Sequence, residues 1–202
     1  MSVRIYVEGG GNSGALKSEC RRGFADFFKK FLPAGKQPKV IACGSRNEAL
    51  DDFRTALKNP RGDHIVLLVD AEDAVSAGQS VWTHLKQRDN WDPPTGATEE
   101  NTHLMVQCME SWFLADHQAL AAYFGQGFQP SALPRNPNIE DIPKQDVLRA
   151  LGNSTRQTKT KGTYSKGGHS FAILATIDPD KVRRASPHAE RLAVTLVELT
   201  GV

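Results

Sequence analysis

Apolar and polar positions alternate from Val3 to Val7 (VRIYV), and the run opens into Glu8-Gly9-Gly10-Gly11, which predicts a strand ending in a tight loop. Asn12 or Ser13 then stands where a helix cap belongs. Leu16, Cys20, Phe24, Phe27, Phe28 and Phe31 recur at helical spacing behind it, predicting a helix from Gly14 to Leu32. After a break over Pro33 to Pro38, Val40 to Cys43 reads as a second short strand. Ser45 then caps a helix to Lys58 that aligns Ala49, Leu50, Phe53 and Leu57. The run from His64 to Val69 (HIVLLV) is apolar throughout, as in a strand buried on both faces, and it ends in Asp70-Ala71-Glu72-Asp73. A helix near Ala77 to Gln87, a polar loop from Arg88 to Asn101, a strand from Thr102 to Cys108 and an amphipathic helix bearing Trp112, Phe113, Leu114, Leu120 and Tyr123 follow.

Strand and helix thus alternate four times, which argues for an α/β fold: a mostly parallel, doubly wound four-stranded sheet flanked by helices. From Gly125 the pattern changes. Gly, Pro and Asn punctuate the chain up to Pro143. Helices are expected at Gln145–Leu151, Ser170–Thr176 and Pro187–Leu199, so residues 125–202 read as a mainly helical extension on a core of residues 1–124.

Composition removes several classes. At 202 residues, 39% hydrophobic and 24% charged, the chain is neither a disordered nor a fibrous sequence. No apolar run reaches the ~18 residues of a membrane helix, and Met1 to Val7 does not read as a signal peptide, so a cytoplasmic protein is expected. Cys20, Cys43 and Cys108 are three, widely spaced and without a CxxC pair, which fits buried thiols rather than disulfides or zinc. The net charge is only +2, but it is unevenly spread. Between Lys144 and His169, six basic residues face the single acid Asp146, a net of +5 that leaves −3 for the remainder. A basic segment suited to a polyanion is therefore set against an acidic body.

The acids have a pattern. In open parallel sheets, ligands bind at the C-terminal ends of the strands, and three of the four expected strands end in carboxylates: Glu8, then Asp70, Glu72 and Asp73, then Glu110. Like charges gathered at one edge need a counter-cation, and hard oxygen ligands select Mg²⁺ or Mn²⁺. Asp73 also fits as a cap for the next helix, and Glu110 as a first-turn acid. The Gly-rich turn before Lys17-Ser18 misses the phosphate-binding loop, because Gly14 is not adjacent to Lys17.

Val7-Glu8-Gly9-Gly10 and Val69-Asp70-Ala71-Glu72 resemble the Glu-Gly and Asp-x-Asp motifs of Toprim domains, the catalytic modules of topoisomerases, bacterial-type primases and OLD nucleases. With QCMESWFLAD, YSKGGHSF and SPHAERL, the chain is more closely similar to stand-alone Toprim-like proteins, often encoded beside AAA- or ABC-type ATPases in bacterial anti-phage loci. The resemblance implies a Toprim-like Rossmannoid core whose metal and acid/base residues are Glu8, Asp70 and Glu72. Glu110 matches a further acid that helps to hold a second ion, and Asn12 stands where another is usually acidic. It also implies a basic residue at the scissile phosphate, either Lys161 or Lys166, and so a metal-dependent nuclease acting on DNA or RNA. Arg156, Lys159, Lys161, Lys166 and His169 would then bind the nucleic acid, with His169 an alternative general acid. A topoisomerase-like nucleophile could only be Tyr164, and the chain is too short for a topoisomerase gate. Two other readings compete: a non-catalytic partner docking on an ATPase through Trp112 and Phe113, and a phosphatase using Asp70, whose motif follows the wrong strand. A homo-oligomer is left open.

Overall fold

The computed structural model describes residues 2–201. Strands β1 (Val3–Gly10), β2 (Lys39–Gly44), β3 (His64–Asp70) and β4 (Thr102–Met105) form one sheet in the order β2-β1-β3-β4, with every pair parallel. Helices α1 (Gly14–Phe28), α2 (Arg46–Lys58) and α3 (Val81–Asp89) alternate with the strands. After β4 come a 3₁₀ segment (Met109–Ala115) and α4 (His117–Phe124), then α5 (Lys144–Thr155), α6 (Ser170–Leu174), α7 (Pro179–Ala185) and α8 (Pro187–Thr200).

The strand pattern decides which helices lie on which side. Ile5, Val7, Val66, Leu68 and Met105 point to one face, where they pack with Phe24, Phe28, Trp112, Ile173 and Leu196 from α1, the 3₁₀ segment, α6 and α8. Tyr6, Leu67, Val69 and Leu104 point to the other, against Leu50 and Phe53 of α2 and Leu85 of α3. The apolar run of β3 is thereby covered on both sides, as its composition demands. Because the first face takes residues from both ends of the chain, the C-terminal helices share the core of β1. Trp112 and Phe113 are fully buried in it and offer nothing to an outside partner.

Local signals explain most boundaries. Ser13 caps α1, and Ser45 and Glu48 form a reciprocal capping box at α2, a device that contributes about 0.5–2 kcal/mol. Beyond shifted bounds of α3, α5 and α6, four features differ from the sequence expectation. Helix α1 stops at Phe28, four residues early, and its last turn tightens into 3₁₀ bonding. Strand β4 stops at Met105 because the chain turns to donate Met109 N–H to Asp70 Oδ1 (2.8 Å). The helix after Glu110 is two pieces, broken at Asp116, which caps α4 and also binds Asp178 N–H and Lys181. Helix α7 is additional to the expected elements, although Asp178-Pro179 is a cap followed by proline at the first helical position. No helix among the described residues is long and apolar enough to cross a membrane.

Candidate metal centre

The connection leaving β1 runs by α1 to β2 on one side, whereas that leaving β3 runs by α3 to β4 on the other. The adjacent ends of β1 and β3 are therefore the switch point at which such sheets open a crevice. The register pairs Val7 with Leu68, which sets Glu8 and Asp70 just beyond, at neighbouring strand ends. Each of Glu8, Asp70 and Glu72 presents a carboxylate oxygen within 4.8 Å of the other two. Two local features make this approach feasible. A Cβ on Gly10, at φ +84°, would lie 2.7 Å from Lys17 Cα, so the loop closes over α1 only with glycine there. Glu72 itself sits at φ +71°, a left-handed conformation that costs a non-glycine residue on the order of 1 kcal/mol, and its N–H is held by Gln107 O at 2.6 Å.

Each carboxylate has a distinct environment. Glu8 Oε2 accepts from Arg46 Nη1 (3.2 Å) and Asp70 N–H (3.1 Å), while Oε1 makes no hydrogen bond among the described residues. Burial raises the Glu8 pKa, and Arg46 only partly offsets it. Asp70 is buried more deeply. Desolvation, then repulsion from Glu8 and Glu110, pushes its carboxyl well above the usual range against the pull of Lys166 and Lys144. Glu72 goes the other way: burial works against ionisation, but Lys144 at 2.5 Å, with Arg88 and Arg46, holds it below its ordinary value. Glu110 is wholly buried. Its Oε1 accepts from the hydroxyls of Tyr164 (3.1 Å) and Ser170 (3.4 Å), and its Oε2 has no hydrogen-bond partner, with Lys166 Nζ 3.8 Å away.

The cleft in front of this cluster, about 280 Å³, is lined by Glu8, Asp70, Glu110 and Lys166, the Gly9–Gly11 turn and Phe171. Of the two candidate lysines, Lys166 reaches it, with Nζ 3.9 Å from Asp70 Oδ2. Lys161 does not; it lies over the Tyr123 ring at 4.8 Å. Asp73 is largely exposed and faces Arg88 at 3.5 Å, and since Ser80 caps α3 it is neither a ligand of the cluster nor a cap. Asn12 is exposed and does not line the cleft. His169 packs between the rings of Tyr123, Phe124 and Tyr164, and its Nδ1 accepts Ser165 N–H. Arg156 and Lys159 are exposed. Tyr164, bonded to Glu110 and Ser170 and with its hydroxyl pKa raised by burial and by Glu110, is no nucleophile. Lys17 is spent on Cys43 O (2.8 Å) rather than on any phosphate.

Three site residues were not picked out from the sequence. Arg46 grips Asp89 with Nε and Nη2 (3.1 and 2.7 Å), lies 4.8 Å over the Trp91 ring, and also binds Asp70 O besides Glu8. Lys144 and Arg88 complete the ring of cations around Glu72. A signal for Arg46 existed, since it closely follows the end of β2 at the same sheet edge as Glu8.

The donor set fits a hard divalent ion. It is all carboxylate, and the buried Glu110 Oε2 adds an oxygen that has no hydrogen-bond partner among the described residues and only the Lys166 ammonium at 3.8 Å. These features define a parallel α/β domain with a carboxylate cluster at its switch point. The chain belongs to the family described as "Domain of unknown function (DUF4276)", whose model matches residues 7–197. No curated protein and no solved structure matches it.

Proposed function

We propose that this protein is a divalent-metal-dependent nuclease that hydrolyses phosphodiester bonds in DNA or RNA. The observation that carries the reading is the convergence of Glu8, Asp70 and Glu72 within 4.8 Å, beside a cleft that also presents Lys166 and the unsatisfied Glu110 Oε2. Glu8, Asp70 and Glu72, with Glu110, would hold Mg²⁺ or Mn²⁺. When bound, such an ion supplies charge neutralisation at the phosphoryl oxygens.

The chain's own groups divide the remaining work. Glu8 has a raised pKa and a free Oε1, so it can take a proton from an attacking water at that atom. Arg46 fixes the other oxygen and so sets the direction in which Oε1 points. Lys166, flexible and half exposed, can meet negative charge developing on the phosphate. Arg156 and Lys159, exposed on the same basic segment, would contact phosphates further along a strand.

Three free buried cysteines accord with work in a reducing cytoplasm. A role as effector of an ATPase-coupled bacterial defence system, with an AAA- or ABC-type partner, rests on the Toprim-like resemblance of the motifs alone. The test is plasmid nicking with Mg²⁺ or Mn²⁺, with and without a co-expressed ATPase, for the wild type and for Asp70→Asn. Cleavage by the wild type and a loss of at least about a hundredfold in the variant are expected. Cleavage that persists in the folded variant sinks the site assignment, and no cleavage under either condition favours a non-catalytic partner.

A further inference from the structure

The acidic cluster carries its own cations. Glu8, Asp70, Glu72 and Glu110 are met by Arg46, Lys144, Lys166 and, 3.7 Å from Glu72, Arg88. Taken as ionised groups, and leaving the largely exposed Asp73 aside, these four acids and the Asp89 that Arg46 and Arg88 also bind are five negative charges against four positive ones, so the patch carries one net negative charge before any ion arrives. The cations are not equally committed. Arg46 is locked between Asp89, Trp91, Glu8 and Asp70 O, whereas Lys144 reaches Glu72 Oε2 (2.5 Å) and Asp70 Oδ2 (4.0 Å) from the end of a flexible stem. Its backbone is nevertheless fixed. Gln107 accepts Lys144 N–H at its side-chain Oε1 (3.0 Å) and Glu72 N–H at its carbonyl (2.6 Å), so one residue holds both partners of the ion pair in place.

We propose that Lys144 is a transferable counter-cation: it occupies Glu72 in the free protein and passes to a phosphoryl oxygen of the substrate when a divalent ion takes its place. The inference rests on the metal-dependent reading above. A divalent ion added to a patch with one net negative charge leaves a surplus of positive charge, and an anion must then answer it. Lys144 offers three rotatable donors on a long stem and suits that exchange as a guanidinium clamped like Arg46 does not. The buried Glu110 Oε2, which has no hydrogen-bond partner among the described residues and meets Lys166 only at 3.8 Å, is independent evidence that the cleft admits a further cation. Ion and phosphoanion binding become mutually dependent, and by linkage each strengthens the other by the same factor.

The experiment is a calorimetric titration of the metal-free protein with Mn²⁺, with and without inorganic phosphate and corrected for Mn²⁺ bound by free phosphate. The wild type, Lys144→Met and Lys144→Arg are compared, each checked for folding by its thermal melt. In the wild type, phosphate is expected to lower the Mn²⁺ Kd by about tenfold. Lys144→Met should bind Mn²⁺ about tenfold more tightly without phosphate and lose the phosphate effect, whereas Lys144→Arg should keep it. If Lys144→Met binds Mn²⁺ no more tightly than the wild type, or keeps the phosphate effect, the counter-cation role is overturned while the metal site stands. If the wild type and both variants fail to bind Mn²⁺, the metal-dependent reading falls as well.

Discussion

Two parts of one basic segment have opposite fates. Lys144 and Lys166 turn inward onto the carboxylates at the ends of β1 and β3, whereas Arg156, Lys159 and Lys161 stay at the surface, Lys161 resting on Tyr123. In sequence the five are one run of positive charge. In space they divide by neighbour: the inner lysines meet acids that have lost water, and the outer residues meet solvent. Coulombic attraction between unit charges at 4 Å is about 1 kcal/mol in water and about 4 kcal/mol at an effective dielectric of 20. The inner pair can therefore govern charge at the cleft, while the outer residues contribute through long-range, salt-screened attraction.

The sharpest way to break that distinction is to neutralise one lysine of each kind. Lys166→Met should slow cleavage at saturating DNA by about ten- to a hundredfold, because it removes a cation 3.9 Å from Asp70 and 3.8 Å from Glu110. Lys161→Met should change that rate less than about twofold, as expected for a substitution at an exposed site. Single-turnover nicking measures both. Equal losses in the two variants would erase the contrast.

The distinction between Lys161 and Lys166 shows where sequence reasoning stops. The strands, their shared direction and the gathering of Glu8, Asp70 and Glu72 were legible, because a parallel sheet puts every strand end at one edge and the hydrophobic pattern marks the strands. Asp73 fell away for a local reason: α3 starts at Val81, capped by Ser80, four residues after the position the pattern favoured, so Asp73 is left in an exposed loop. Lys144 and Arg46 were hidden for a non-local one. Lys144 reads only as the first residue of the basic run, just ahead of the expected helix, and the Gln107 bridge, 37 residues earlier in the chain, brings it to Glu72. Glu110 was legible as an acid near the fourth strand, but its satisfied and unsatisfied oxygens depend on Tyr164 and Ser170, which no spacing rule connects to it.

A smaller effect sharpens the outer half of the comparison. Replacing Arg156, Lys159 and Lys161 together by alanine should weaken DNA binding by about tenfold at low salt. It should also reduce the steepness of log K against log salt by about one for each phosphate that is no longer neutralised. Filter binding or fluorescence anisotropy across a salt series gives both quantities. An unchanged salt slope would mean that these residues face away from the nucleic acid, and the polyanion reading of the segment would lose them.

The smallest expected effect is on stability, and it separates the buried carboxylates from their cations. Asp70 has its pKa raised in the folded protein by burial and by its acidic neighbours. The folded state therefore holds this proton at pH values where the unfolded chain has released it. The stabilisation this gives is complete below the ordinary carboxylate pKa and is lost as pH rises from there through the raised value. Glu72, held low by Lys144 and its neighbours against the cost of burial, behaves oppositely: its contribution is present above the ordinary value and is lost on acidification. Asp70→Asn keeps an oxygen for Met109 N–H and removes only the charge. In metal-free buffer the melting temperature of the variant should match that of the wild type near pH 4, then exceed it by roughly 2–4 °C toward pH 8, the shift expected from about 1 kcal/mol in a chain of this size. Saturating Mn²⁺ should cancel or reverse the difference, since only the wild type keeps the full ligand set. A melting difference that did not change with pH would mean that Lys144 and Lys166 already neutralise Asp70, and that the inner cations are stronger than their geometry implies.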